Sequence, residues 1–325
     1  MRVSKKQLNG GKKILSTKEK VFLTGSTGFV GSHLLRAMLK ENYDIHICIR
    51  KESDLFKIMD IKDQVSLTLL DLSNRDAVNE YFKKHRFDTV IYCAWQGVSG
   101  DFRNDLGQFD NLLFISNLFE ISRKTGTKKW IGFGSQAEYA AHTSPIDETY
   151  KTEPTTLYGI SKLSVYHMLK ILSTEYEISF SWIRIFSCYG PYDNEKTFIP
   201  YMIKNIMLNN SLELTKGEQL WDFLYIDDLT SGIISVLKNN IDGVINLGSG
   251  KTVQISDVAK IIKDMINDDY ELNFGTKEYR HDQVMYLHAD ISKLKNMCSW
   301  TPKWSLKKGI KNTIEFIKDQ TKTNI

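Results

Sequence analysis

The chain has 325 residues, 42% of them hydrophobic and 25% charged. That balance supplies a sizeable apolar core and excludes collagenous, disordered and disulfide-stapled architectures. Seven basic residues among the first twenty (Arg2, Lys5, Lys6, Lys12, Lys13, Lys18, Lys20) meet only Glu19, a net +6, so the other 305 residues carry −2 and offer no dedicated nucleic-acid surface.

Cys48, Cys93, Cys188 and Cys298 are scattered, with no C-x-x-C pair, which fits a reducing compartment without a zinc site or disulfide framework. No apolar run reaches the ~18–20 residues of a membrane span, and the start shows no signal-peptide pattern. The expectation is a cytoplasmic enzyme with no membrane, nucleic-acid or metal partner.

Residues 1–18 are basic and aperiodic and read as a mobile tail. Val21–Leu23 is a short apolar strand running into a glycine turn. Val30, Leu34, Leu35 and Met38 then recur at helical spacing. Strands are predicted at 44–49, 65–70, 89–94, 129–134 and 178–186, alternating with helices at 76–84, 106–123 and 155–176. Past Gly190-Pro191 the pattern loosens. Helices are predicted at 198–208, at 227–238 behind the acidic pair Asp227-Asp228, from a Ser256 cap to Ile266, and at 305–317. Short strands are predicted at 212–214 and 244–247.

Alternating strands and helices, with strands apolar on both faces, predict an α/β fold with a doubly wound parallel sheet of Rossmann type. Residues 19–190 form the dinucleotide-binding domain, with 222–250 rejoining it. Residues 191–221 and 251–325 form a smaller C-terminal α/β lobe that takes the substrate. Ligands on such a sheet sit at the carboxyl ends of the strands.

Three features lie on that edge. The first is Thr24-Gly25-Ser26-Thr27-Gly28-Phe29-Val30-Gly31, a G-x-x-G-x-x-G turn from strand to helix. Gly25 and Gly28 let a diphosphate approach backbone N–H groups, the helix N-terminus faces its charge, and Gly31 lets helix and sheet close up. The second is Arg50-Lys51 at the end of the second strand, where an NAD site offers an acid to the ribose. A guanidinium there suits a 2′-phosphate, so NADP(H) is favoured, with NAD(H) the alternative and a solvated basic loop the functionless one. Asp71, ending the third strand, either binds the adenine amino group or caps the next helix. Leu72 and Ala94 end neighbouring strands on the same edge.

The third feature is Tyr158-Gly159-Ile160-Ser161-Lys162, which puts a phenol and an ammonium on one helix face. The cation is expected to draw the phenol's pKa down and to hold the nicotinamide ribose. Ser135 ends the fifth strand and is placed to hold the substrate oxygen. The catalytic set is therefore Ser135, Tyr158 and Lys162.

Together these motifs, with Arg184-Ile185-Phe186-Ser187-Cys188-Tyr189-Gly190-Pro191 and Gln219–Asp228, resemble the extended short-chain dehydrogenase/reductases, the NAD-dependent epimerase/dehydratase branch that acts on nucleotide sugars. The resemblance spans residue 20 to the C-terminus. It implies that Asn111 belongs to the cofactor side and that Gln136, Ser187, Trp221 and Arg280 line the sugar-nucleotide side. It also implies a homodimer built on the two long helices.

Ser187 stands where many members carry Asn, and Trp221 where many carry Arg, which changes the expected phosphate contacts. Gly134–Tyr139 together with Trp221-Asp222 looks most similar to CDP-abequose synthase-type reductases of 4-keto-sugar nucleotides. Family dehydratases follow the strand-end Ser/Thr with Asp-Glu, and this chain has Gln136-Ala137. Glu138, one step on, is expected to point away in an extended segment.

His142 and His167 read as surface or packing residues, Cys93 as a buried hydrophobe and Asp227-Asp228 as a helix cap. Trp95 reads equally as pocket or core. The leading expectation is NADPH-dependent reduction of a 4-keto-deoxysugar nucleotide. The alternatives are a 4-epimerase with tightly held NAD and a non-catalytic dinucleotide-sensing regulator.

Overall fold

A computed structural model describes residues 18–98, 100–280 and 283–323. Nearly all of the basic N-terminal stretch lies outside the described residues. The chain runs β1 (Lys20–Thr24), α1 (Phe29–Leu39), β2 (Asp44–Ile49), β3 (Ser66–Leu69), α2 (Arg75–His85), β4 (Thr89–Tyr92), α3 (Asp110–Lys124), β5 (Lys129–Ser135), α4 (Leu157–Glu175) and β6 (Ser179–Ile185). It continues through β7 (Ser187–Tyr189), α5 (Phe198–Met207), β8 (Glu213–Leu214), β9 (Leu220–Trp221), β10 (Phe223–Tyr225), α6 (Ile226–Lys238) and β11 (Gly243–Leu247). The last elements are β12 (Val253–Gln254), α7 (Ile255–Ile266), β13 (Asn273–Phe274), β14 (Tyr286–Leu287), α8 (Ser292–Cys298) and α9 (Leu306–Thr323).

Seven of these strands form one sheet in the order β11-β6-β5-β4-β1-β2-β3, every pairing parallel. The reason is legible in single strands. Val21 and Leu23 pack into one apolar cluster with Leu34, Leu35, Ile233 and Leu237 of α1 and α6. Phe22, between them, packs into the other with Val78, Phe119 and Val165 of α2, α3 and α4. Successive side chains of a strand point to opposite faces, so an unbroken apolar strand is stable only with helices on both sides. The result is a three-layer α/β/α body, with β11 returning to the sheet beside β6.

Beyond it, α5, α7 and α9 pack on one another, and small sheets (β12-β9-β14 and β13-β8) knit the remaining segments. Here the sequence reading needs two corrections. Ser256 lies inside α7, whose cap position is Gln254. The Asp227-Asp228 pair makes no capping hydrogen bond to α6. Asp228 instead accepts the backbone N–H groups of Lys303 and Trp304 at 2.9 and 2.8 Å, clamping the C-terminal segment onto the body. Among the described residues no helix is long and apolar enough to cross a membrane.

Candidate active site

The carboxyl edge of the sheet begins at the glycine turn. Gly25 has φ +69°, and a Cβ there would lie 2.6 Å from the Ala94 nitrogen. A Cβ on Gly31 would overlap the Gly25 carbonyl. The Thr24 hydroxyl accepts the Ala94 N–H at 3.1 Å, so the ends of β1 and β4 are locked at the distance the glycines allow. Helix α1 starts at Gly28 with no side-chain cap and no acid in its first turn, and the Ser26 hydroxyl in the turn is buried without a partner. Open first-turn N–H groups and no competing carboxylate fit an anionic diphosphate. Thr27, Phe29 and Val30 complete the turn.

At the end of β2, Arg50 is exposed and pairs loosely with Glu52 at 3.6 Å, and Lys51 is exposed beside it. Asp71 is exposed. It accepts the Ser73 N–H at 2.9 Å, which holds its carboxyl below the usual range, with Arg50 adding a smaller pull. It does not cap α2, because Asn74 does, through the Ala77 N–H. Leu72 packs into the cluster under α2.

The three candidate catalytic residues converge. Helix α4 is capped by Thr156, whose hydroxyl accepts the Gly159 N–H. Gly159 lies against the Ala137 carbonyl, closer than any side chain would permit. That approach brings Tyr158 beside Ser135, whose hydroxyl pulls the phenol's pKa down against a larger upward push from burial. The balance leaves Tyr158 at about 12.

Lys162 is buried and donates to the Phe133 carbonyl at 2.7 Å. Its ammonium lies 3.6 Å from the Trp95 ring centre and 5.7 Å from that of Tyr158. Burial lowers it to about 7, against opposing pulls from Glu138 and Cys93. The expected lowering of the phenol by Lys162 is therefore corrected. The cation is spent on a carbonyl and an indole, and the downward pulls on Tyr158 come from Ser135 and Arg103, whose guanidinium lies 5.1 Å from the phenol ring centre.

Other residues fall into place around this trio. Trp95 belongs to the site, its indole N–H held by Gln108 at 2.9 Å. Asn111 is buried and spends its amide on the backbone of Gln96 and Gln108, fastening the segment after β4. Burial pushes the Cys93 thiol up to about 12, so it is no nucleophile. His167 is exposed on α4.

Gln136 opens a 3-10 turn, Gln136–Glu138, where an extended segment was expected. Glu138 still fails to face a ligand, for another reason: it is buried and bound to Arg184 at 2.8 Å. Ser187 pairs with Phe223 in the short β7-β10 ladder. Trp221 packs with Tyr139, Phe186 and Leu287. Arg280 is exposed on the segment anchored to Glu218 by the neighbouring Tyr279. Sequence reasoning missed Arg103, Arg184 and the pairing role of Glu138. A lone acid among small and aromatic residues, GSQAEYAA, was the available signal.

A doubly wound sheet, a glycine turn on its first helix and a Ser/Tyr/Lys trio on the same edge define a dinucleotide-dependent dehydrogenase/reductase. The profile of the NAD-dependent epimerase/dehydratase family matches residues 21–248, and the chain belongs to that family, within the extended short-chain dehydrogenase/reductases. It is 26% identical to CDP-abequose synthase of Salmonella muenchen over 93% of this chain and 99% of that one. It is 27% identical to UDP-glucuronate 4-epimerase of Thermodesulfobacterium geofontis over 91% and 95%. Its fold is similar to that of UDP-glucose 4-epimerase from Thermotoga maritima, with TM-score 0.83, 23% identity, and 93% and 99% of the two chains covered. The protein is thus an NAD(P)-dependent enzyme of the epimerase/dehydratase family.

Proposed function

We propose that this enzyme reduces a 4-keto-deoxysugar nucleotide with NADPH. Gly25, Thr27, Gly28, Phe29, Val30 and Gly31 would hold the dinucleotide, with Arg50 and Lys51 toward its 2′-phosphate and Asp71 toward its adenine; bound there, it would supply the hydride for the ketone carbon. Tyr158 gives its phenolic proton to the oxygen that becomes the hydroxyl. Ser135 hydrogen-bonds the same oxygen, and Lys162 holds the ribose. The lobe built from 191–221 and 251–325 takes the sugar nucleotide, with Gln136, Ser187, Trp221 and Arg280 lining it.

The observation that carries the reading is the end of β2, where Arg50 and Lys51 are exposed and no acid comes before Glu52. A basic strand end suits the 2′-phosphate of NADPH, and with it net reduction. An epimerase re-reduces its own intermediate with the same cofactor and needs no exchange of NADPH for NADP⁺. Dehydration is disfavoured because Gln136 and Ala137 cannot exchange protons and Glu138 is tied to Arg184. The similarity to CDP-abequose synthase supports reduction. The epimerase relatives keep the 4-epimerase as the second reading.

The test is product mass with a 4-keto-sugar nucleotide and deuterated NADPH. One deuterium in the product and one equivalent of NADP⁺ per turnover are expected. Interconversion of two hydroxy-sugar epimers, with no added cofactor consumed, overturns the reading in favour of the epimerase.

A homodimer is part of the same proposal. Leu113 on α3 and Ile171 on α4 are 58% and 66% exposed, on the two long helices. Pairing them across a two-fold axis makes a four-helix interface. Light scattering is expected to give a dimer at micromolar concentration, and a monomer from the chain with Leu113→Asp and Ile171→Asp.

A further inference from the structure

Beneath the catalytic trio lies an ion pair that the reaction as written does not use. Glu138 is fully buried and each of its oxygens is taken. Oε1 accepts the backbone N–H of Ser135 at 2.8 Å, and Oε2 accepts Arg184 Nε at 2.8 Å. The Trp182 indole N–H is shared by both oxygens at 3.1 Å. Gly134 is what admits this carboxylate, since a side chain there would collide with Glu138 and with Trp182. Arg184 is 2% exposed, with its guanidinium 4.4 and 5.5 Å from the ring centres of Tyr139 and Tyr166. Tyr139 in turn donates to Asn246 of β11 at 2.7 Å. The pair therefore adds to the backbone ladders a side-chain tie from the end of β5 to β6, which Tyr139 extends to β11.

A buried pair of this kind costs several kcal/mol of desolvation per ion and is weak evidence for stability. Its position suggests another use. The carboxylate end is the one that faces the catalytic residues. The other charged or titratable groups facing Tyr158 are Arg103, from the segment before α3, and Cys188, from β7. For Lys162 the other such group is Cys93, after β4. Glu138 is the one carboxylate among those groups.

We infer that Glu138, held by Arg184, is a positioning residue for the reaction: its oxygen sets the backbone of Ser135, at the strand end whose Phe133 carbonyl takes Lys162 beside Tyr158. Arg184 holds that carboxylate in place, and the carboxylate supports the ammonium of Lys162. This rests on Ser135, Tyr158 and Lys162 being the reacting set.

The test uses the full chain and NADH or NADPH affinity, read by fluorescence across neutral to alkaline pH. In the parent, loss of the Lys162 proton gives an inflection that Lys162→Met removes. Glu138→Gln preserves shape and most hydrogen bonds while deleting the charge. It should move the inflection down by about 1 pH unit, the lower end of what a neighbouring charge does. Arg184→Gln leaves the carboxylate unopposed and should move it up. The double variant Glu138→Gln/Arg184→Gln should return it near the parent position. Arg184→Lys, which keeps the charge and guards against a variant that does not fold, should leave it in place.

A purely structural pair would weaken binding at every pH without moving the inflection, and that result overturns the inference. An inflection that persists in Lys162→Met sinks the catalytic assignment itself, which separates the two failures.

Discussion

Between Lys20 and Ile185 the chain is held by a parallel ladder and two apolar layers. Beyond Ser187 much of the same work falls to buried carboxylates. In the first region β5 and β6 pair over seven residues, and side chains alternate cleanly between the two clusters. In the lobe the strands β8, β9, β12, β13 and β14 are two residues long. Beside them Asp222, fully buried, accepts N–H groups from Ser249, Gly250 and Ala289 at 2.6, 3.1 and 3.1 Å, tying the segment before β12 to the one after β14. Asp228 does the same for Lys303 and Trp304. The difference teaches how one fold separates its tasks. A ladder fixes the cofactor edge through backbone geometry, so any sequence with the right apolar pattern builds it. A lobe tied by single side chains can change its loops without disturbing that edge.

The largest expected effect tests the chemistry the ladder presents. Tyr158→Phe should lose ~10²–10⁴-fold in turnover, the usual contribution of a general acid, while cofactor affinity stays near the parent value. A variant retaining half the activity would remove Tyr158 from its role.

Next comes the tie between the main body and the lobe. Asp222→Ala strands three backbone donors, each costing ~1–3 kcal/mol when buried and unpaired. Denaturant unfolding should show a loss of several kcal/mol, with binding of the dinucleotide less affected than binding of a sugar nucleotide. Equal loss of both would erase the distinction between the regions.

A smaller effect is expected at the cofactor edge. Arg50→Asp removes a charge-assisted contact of roughly 1.5–3 kcal/mol, so NADPH should weaken about ten- to a hundredfold relative to NADH. An unchanged ratio of the two affinities means that Arg50-Lys51 is only a solvated loop.

The last is a slope, smallest per pH unit. Burial depresses Lys162 to about 7 in the folded chain, against 10.5 when exposed. Between those values the unfolded chain binds more protons, so its stability relative to the folded chain falls as pH rises, and folding stability increases. Urea unfolding of the ligand-free enzyme should gain up to ~1.4 kcal/mol per pH unit from Lys162 between about pH 7 and 10. Lys162→Met should flatten that part of the curve. Identical slopes in parent and variant would mean that the buried ammonium is not what titrates.

The strands, the glycine turn and the Tyr158/Lys162 pair were readable because each depends on neighbours in the chain. Alternation along Val21-Phe22-Leu23 already demands two covering layers. The spacing of Gly25, Gly28 and Gly31 demands a turn no side chain can enter, and an i, i+4 pair shares a helix face whatever surrounds it. From these the fold, the family and the cofactor class followed.

What lies across the chain was not readable. Glu138 meets Arg184 at a separation of 46 residues, and Asp228 meets Trp304 at 76. No periodicity records such partners. Asp227-Asp228 looked like a cap because helix starts favour acids, but Asp228 turned to backbone donors brought up by the C-terminal segment. Tyr158 was expected to be drawn down by its lysine, and burial proved the larger influence. Desolvation depends on everything packed around a group, and only the assembled layers determine that.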